Sequence, residues 1–407
     1  MRELLILLAV AGAALAQTPS YVGAAGCKSS NCHGGTAPLP LTENSRVQQN
    51  EFTLWSSFDK HKDAYKVLTE PRGKRMAEIL RISDPTRDKR CAVCHVDGSP
   101  DNLRSDGVSC EACHGPASLW KDTHEAKNSH ADSLKKGMVD IQSPVVRSTK
   151  CLSCHLGTGD RIVDHELIAA GHPDLAFEMG TFDFAMPAHH RLRDTKMRIQ
   201  AWAVGQANGL AEGMRLLTTH AEKGWPEFSD LECYQCHHDL RKESWRINLG
   251  YAGRRPGSLR VNLARYEVTR VMVATAAPDQ SAALQGAWAR LGEAVGNRFS
   301  DGAAIAQAAR GVERTADELT KFFMSPNSNV DARGMVQAIT SNIQTIANAG
   351  VNSAEEAAMS LDALTLAMNP NRAKDALAPL YDYLEHPSAY TPSGFADRFK
   401  QVAVRVQ

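Results

Sequence analysis

Ten cysteines fall in five pairs, and a histidine directly follows the second cysteine of every pair. Four pairs have the form Cys-x-x-Cys-His: Cys91 and Cys94 with His95, Cys110 and Cys113 with His114, Cys151 and Cys154 with His155, and Cys233 and Cys236 with His237. The fifth, Cys27-Lys-Ser-Ser-Asn-Cys32-His33, is wider. Thiols at this spacing add across the vinyl groups of a haem, and the adjoining imidazole becomes the proximal iron ligand. The two-residue gap suits roughly one turn of helix. Zinc ribbons and disulfides also pair cysteines, but neither needs the histidine. With 15 histidines in 407 residues, five such coincidences have a chance on the order of one in ten million. At Cys27 and Cys32 the wider spacing needs a looped-out residue pair, and a disulfide beside a chance histidine is the other reading. The pattern predicts five covalently attached c-type haems (heme c).

The other histidines are the candidates for the opposite face of each iron. Histidine on both faces closes the iron and suits electron transfer, whereas an open face can bind a small molecule. His61 follows Phe52, Trp55 and Phe58, which recur every three residues and are expected to share a helix face that His61 continues. His124 follows Trp120 and lies beyond the Gly115-Pro116 break, so the chain can leave one haem and return to another. His165 and His172 are seven residues apart and share a face if that segment stays helical, while Gly171 and Pro173 argue that the helix ends at His172. Side chains of the adjacent His189 and His190 diverge, so one ligates; His190 is taken as that one. His130, His220 and His386 read as surface residues, and His238 as exposed or a ligand to a neighbouring haem.

The elements that must hold these groups differ along the chain. Between His95 and Cys110 a polar loop, Val96 to Ser109, carries Gly98, Pro100 and Gly107; it should turn tightly and bring two haems side by side. Lys121 to Lys136 is polar and should wrap the surface. A helix from Thr195 to about Ala221 leads into the Cys233 site. From about Ser258 no cysteine and only His386 remain. There Ile305, Ala309, Val312, Ala316, Leu319 and Phe323 follow helical spacing, as do Val336, Ile339, Ile343 and Ile346. Ser353 to Glu356 reads as a capping box, Asn369-Pro370 as that helix's end, and Phe395, Phe399, Val402 and Val406 as a last helix. The fold class is therefore mainly α. A pentahaem domain with long irregular loops (17–250) precedes a haem-free bundle of five or six helices (258–407). The bundle reads as a structural cap, with a partner-binding module as the alternative, and a chain ending near Gly250 is expected to keep its visible spectrum.

Residues 1–16 carry Arg2, an apolar run from Leu4 to Leu15 and Ala14-Leu15-Ala16, the pattern of a cleaved signal peptide. About twelve apolar residues are too few to span a bilayer, so the mature chain is expected to be periplasmic or extracellular with no membrane span. Lys plus Arg equals Asp plus Glu, 46 each, which leaves no basic footprint for nucleic acid. Aromatic residues are 6% of the chain, and haems would supply the missing apolar bulk.

Gly107-Val-x-Cys-Glu-x-Cys-His-Gly-Pro, preceded by Cys-x-x-Cys-His-Val-Asp-Gly, resembles the tetrahaem cytochrome c-554 family over roughly residues 21–155. Trp55 before His61, His124 after the paired site and Cys151-x-x-Cys-His-Leu match that pattern too. Members of that family carry electrons away from hydroxylamine oxidoreductase in ammonia oxidisers. The resemblance implies closely packed haem pairs, distal ligation by His61 and His124, and one five-coordinate haem, at His95 by motif match. This chain departs from the family in its Cys-x4-Cys-His site, its fifth site at Cys233 and its haem-free helical segment. The reading is an electron carrier between a donor and an acceptor protein. A reductase or oxidoreductase for small nitrogen or sulfur species at one open haem, and a subunit of an extracellular cytochrome filament, are the alternatives.

Overall fold

The computed structural model describes residues 17–40, 47–96, 98–188, 194–238, 244–245, 255–373 and 375–406. Among these residues the fold is helical without a strand; Thr158–Arg161 and Leu231–Val261 are isolated bridges. The expected signal peptide and His190 lie outside the described residues. No described helix is long and apolar enough to cross a membrane.

Up to Ala185 the helices are short. The Cys91, Cys110 and Cys151 sites sit on the helices Lys89–His95, Cys110–His114 and Pro144–His155, and the Cys233 site starts on a 3-10 turn, Cys233–Gln235. After Asp194 the character changes. Asp194 caps the helix Thr195–Lys223 by accepting from Met197 N at 2.9 Å. Helices described after it are Ala264–Ala276, Pro278–Asn297, Gly302–Met324, Ala332–Ala349, Val351–Met368, Ala378–Leu384 and Pro392–Val406. The expected periodic positions of the second half, Ile305 to Phe323 and Val336 to Ile346, are all buried.

One hydrophobic core joins these helices, and it includes Trp202, Val204, Leu210 and Leu217 of Thr195–Lys223. Small residues let helices approach closely: Ala203, Ala207 and Ala211 share that core with Ala306, Ala309 and Ala316. Arg215 ties the long helix to Glu313 at 3.1 Å and Asp317 at 2.5 Å. The core therefore cuts across the boundary expected near residue 250, because the long helix turns its apolar side to the later helices. The capping box is also corrected. Gly350, at φ 134°, separates two helices directly, so Ser353 and Glu356 are buried inside Val351–Met368. Phe58 is a third correction: Asp59 leaves helical geometry, and the Phe58 ring is 71% exposed rather than continuing a face to His61.

The site-bearing helix Pro144–His155 leans on the long helix. Asn208 Nδ2 donates to Ser148 Oγ and Thr149 Oγ1, both at 3.1 Å. A second small core of Leu152, Phe177, Met179 and Ala201 fills the space between them.

Candidate haem centres

The α-helices of the Cys91, Cys110 and Cys151 sites each stop at the histidine of the motif, so that imidazole stands at a helix end beside the two thiols. After His114 the stop is Gly115, at φ 81°; a Cβ there would lie 2.4 Å from Gly137 O. The wide Cys27/Cys32 spacing is spread over the 3-10 helix Ala24–Cys27 and a following turn closed by Cys32 N donating to Ser29 O at 2.9 Å. None of the ten cysteines is disulfide-linked, Cys27 and Cys32 included.

The second thiols differ in their setting. Cys94 lies in the last turn of the helix Lys89–His95 and is half-buried. Cys236 departs from the helical turn that the motif spacing suggested. It stands just past the 3-10 turn Cys233–Gln235, with its N–H donating to Cys233 O at 3.2 Å, and it is exposed, as is Cys32. The reason is local: His237 N also donates to Cys233 O, at 2.9 Å, so a single tight turn carries both thiols and the histidine to the surface.

The histidines meet in pairs drawn from distant parts of the chain. Ring centres lie 6.0 Å apart for His33 and His124, at 21° between planes. For His61 and His155 the values are 6.1 Å and 85°, and for His165 and His237 they are 6.0 Å and 28°. His172 is close enough to His95 for its charge to disfavour the His95 cation. Metal–imidazole bonds of about 2 Å on each side, plus a nitrogen-to-centre distance of roughly 1 Å per ring, sum to about 6 Å. Among the described residues no three His, Cys, Asp or Glu side chains converge to hold a bare ion. Two facing nitrogens complete an iron only where four in-plane ligands come with the metal, which a porphyrin provides. His165 and His172 do not share a helix face. The helix His165–Ala169 is five residues long, and Gly171, at φ 112°, redirects the chain.

Most of these rings are held through Nδ1, which leaves Nε2 for a metal. His33 Nδ1 meets Glu51 Oε2 at 2.9 Å and His61 Nδ1 meets Asp59 Oδ1 at 2.9 Å. His95 Nδ1 meets Ala64 O at 2.7 Å, and His172 Nδ1 meets Pro173 O at 2.8 Å. His124 Nδ1 is held by Lys121 O. The hydrogen bond to Glu51 raises the pKa of His33, and that to Asp59 raises the pKa of His61. Burial pushes His155 down to about 4, with the nearby His61 adding to it, so that ring is neutral at physiological pH. Phe177 stacks on it at 5.0 Å.

The sites adjoin one another. The Cys27 thiol is hydrogen-bonded with Cys110, Cys113 lies close enough to Cys151 to help raise its pKa, and Cys154 lies close enough to act on His61. Histidines from elsewhere in the chain also reach the Cys94 and Cys236 sites, His172 acting on His95 and His165 facing His237. Gly107, in the loop between the paired sites, runs against the backbone of His61: a Cβ at its φ of 64° would lie 2.8 Å from His61 O. Val108 N then donates to His61 O at 3.0 Å, and Trp55 Nε1 donates to Val108 O at 3.1 Å. The loop thus fixes the backbone of a histidine that belongs to the His155 site.

Sequence reasoning passed over several residues that organise these sites. Glu111, between the thiols of the third motif, is buried and accepts from Val22 N, Gly23 N and Ala117 N. It ties the N-terminal segment to the Gly-Pro turn; an acid between two such cysteines was the available signal. Asp59 and Glu51 were not singled out either. His220 is buried rather than exposed, since it lies on the inward side of the long helix and its Nδ1 meets Asp230 Oδ2 at 2.7 Å. His130, His238 and His386 are exposed.

The family model for cytochrome c554 and c-prime matches residues 27–115. Over 114 residues the chain is 30% identical to cytochrome c-554 of Nitrosomonas europaea, which is 23% of this chain and 46% of that relative. The chain thus spans about half the length of the curated relative it matches. No solved structure matches it. The chain resembles the cytochrome c-554 family over a segment that holds the first three Cys/His motifs and His61. His124, the Cys151 and Cys233 sites and the helices after Asp194 lie beyond the family match.

Proposed function

We propose that this chain is a multihaem c-type cytochrome that carries five covalent haems and passes electrons between a donor and an acceptor protein outside the cytoplasm. The observation that carries the reading is the set of facing histidines at 6.0–6.1 Å. In it, the porphyrins are held by Cys27 and Cys32, Cys91 and Cys94, Cys110 and Cys113, Cys151 and Cys154, and Cys233 and Cys236. His33, His95, His114, His155 and His237 are the proximal ligands, and His124, His172, His61 and His165 face the first, second, fourth and fifth of them. His190, outside the described residues, is proposed as a further iron ligand. A bound haem supplies a one-electron couple. The chain's part would be to offer an imidazole to each face of a haem, to fix the tautomers of His33, His61, His95, His124 and His172 through Nδ1 and to keep neighbouring sites in contact. Closed irons leave no position for a substrate, which favours carriage over catalysis.

A pyridine haemochrome assay combined with intact mass tests the count: five haems per chain are expected, and four would remove the Cys27/Cys32 site. The reduced spectrum with and without carbon monoxide tests the carriage. It is expected to be unchanged, and a carbon monoxide-induced shift would show an open iron and favour the oxidoreductase reading.

A further inference from the structure

The acceptors that hold the axial histidines are of two kinds. Backbone carbonyls hold His95, His124 and His172, whereas carboxylates hold His33 and His61. Both carboxylates are shielded, with the Asp59 side chain 5% exposed and the Glu51 side chain 11% exposed. Both are also fixed by a second hydrogen bond. Asp59 Oδ1 accepts from His61 N at 3.0 Å, and Glu51 Oε1 accepts from Gln48 N at 2.5 Å.

We infer that Asp59 and Glu51 are positioning residues that lower the reduction potentials of the His61/His155 and His33/His124 centres, making these the low-potential members of the set. The inference rests on the haem reading above. A carboxylate accepting Nδ1–H shifts electron density toward Nε2 and makes the imidazole a stronger donor, which favours the ferric state. Its negative charge, in a region poor in water, further favours the more positive iron. A carbonyl offers a hydrogen bond without net charge, so the centre of His95 and His172 has neither effect at full strength. Each reduction would add one electron, supplied by the donor protein or an electrode, with no bond made or broken between the carboxylate and the imidazole. In a partly reduced protein the electrons then reside on the other centres, and these two fill last.

The test is spectroelectrochemical titration of the intact protein, with electron paramagnetic resonance to follow spin state. Asp59→Asn keeps an oxygen acceptor and removes the charge. It is expected to raise one midpoint by about tenfold in the ferric/ferrous equilibrium, about 59 mV for one electron, with every iron still low-spin. Glu51→Gln is expected to raise a different midpoint by less, because Glu51 is the more exposed. Asp84→Asn, at an exposed carboxylate away from any axial histidine, is expected to move none. His61→Ala is titrated alongside. If it leaves every iron low-spin, the ligand assignment itself fails. If it makes one iron high-spin while Asp59→Asn and Glu51→Gln move no midpoint, the tuning inference alone is overturned. Should Asp59→Asn lose the low-spin signal, Asp59→Glu decides. A low-spin centre at the original potential supports the role of the charge, and a centre displaced as in the asparagine variant refutes it.

Discussion

The helices after Asp194 close around Phe323, Phe395, Phe399 and many alanines, all fully or nearly fully buried. Among the described residues up to Met179, the buried apolar side chains larger than alanine are Leu68, Val96, Trp120, Leu152, Leu167, Phe177 and Met179, scattered over short helices and the turns between them. The later region is specified by apolar periodicity, and its side chains fill its own interior. The earlier region is specified by hydrogen bonds to backbone and imidazole: Glu111 gathers three amides, Gly107 admits the loop to His61, and Nδ1 contacts aim the rings. Burial of this extent is too little to offset the chain entropy of so many residues in loops. The first region is therefore expected to depend on its haems for stability in a way the second does not.

The largest effect that could break this contrast comes from withholding haem. Chain made without cytochrome maturation is expected to lose helical signal from the first region and to be cleaved there by protease. A resistant fragment beginning near residue 195 should remain. Equal resistance along the whole chain would show that the first region is stable on its own side chains.

Next in size are changes to the shared core. Ending the chain after Gly250 leaves Trp202, Val204, Leu210 and Leu217 of the long helix without the helices they pack on, so misfolding or aggregation is expected instead of the unaltered spectrum the sequence alone suggested. A milder probe is Phe323→Ala, expected to cost about 3–5 kcal/mol in the thermal or denaturant unfolding of the helical region. Haem absorbance at low denaturant should not change. Loss of haem absorbance in the same transition as the helical signal would mean that the bundle is not a separate unfolding step.

A third probe sits where the regions join. Glu178 caps the helix Met179–Ala185, accepting from Gly180 N at 2.8 Å and Thr181 N at 2.7 Å, and it is buried beside Glu356. Burial first, and then the Glu356 carboxylate, raise its pKa to about 8. A carboxyl whose folded pKa exceeds its unfolded value binds more protons in the folded state between the two. Its contribution is complete below about pH 4.5 and is lost as pH rises through about 8. Stability should therefore fall between about pH 5 and 8, and Glu178→Gln should flatten that fall by on the order of 2 kcal/mol. Unfolding curves at the two ends of the window check it, and an unaltered slope would remove Glu178 as the cause.

What could be read from the residues follows the same division. Thioether chemistry fixes the Cys/His spacing, and helical burial fixes the 3.6-residue period, so the sites and the bundle helices were visible in the sequence. Which histidine meets which was not, because partners such as His33 and His124 lie far apart in the chain and are brought together by turns such as that at Gly115 rather than by a local pattern. The identical spacing of Cys91 to Cys94 and of Cys233 to Cys236 likewise hid a difference, since one pair lies on a helix and the other on a 3-10 turn. Ser353 and Glu356 matched a capping box, yet a glycine that turns the chain in one residue puts both inside a helix. His220 looked like a lone surface histidine because its partner, Asp230, belongs to a turn beyond the end of its helix.

The smallest expected effect is the most local. His124 lies in a polar, mostly exposed segment, and its ring is fixed by the carbonyl of Lys121 and by the edge of Trp120, with ring centres 5.5 Å apart. It faces His33 at 6.0 Å, and no thioether cysteine is on its own stretch of chain. His124→Ala should therefore leave all five haems attached and the unfolding of the helical region unaltered. One iron should become high-spin, bind carbon monoxide and move to higher potential, since the ferric state loses a strong donor. On the proposed ligand set the carboxylate-held His33 remains as the proximal ligand, so the new five-coordinate centre is expected to keep the tuning proposed for Glu51. Glu51→Gln in the His124→Ala background should then raise the potential of that same carbon monoxide-binding centre. An unaltered low-spin electron paramagnetic resonance spectrum in His124→Ala would remove His124 from the ligand set.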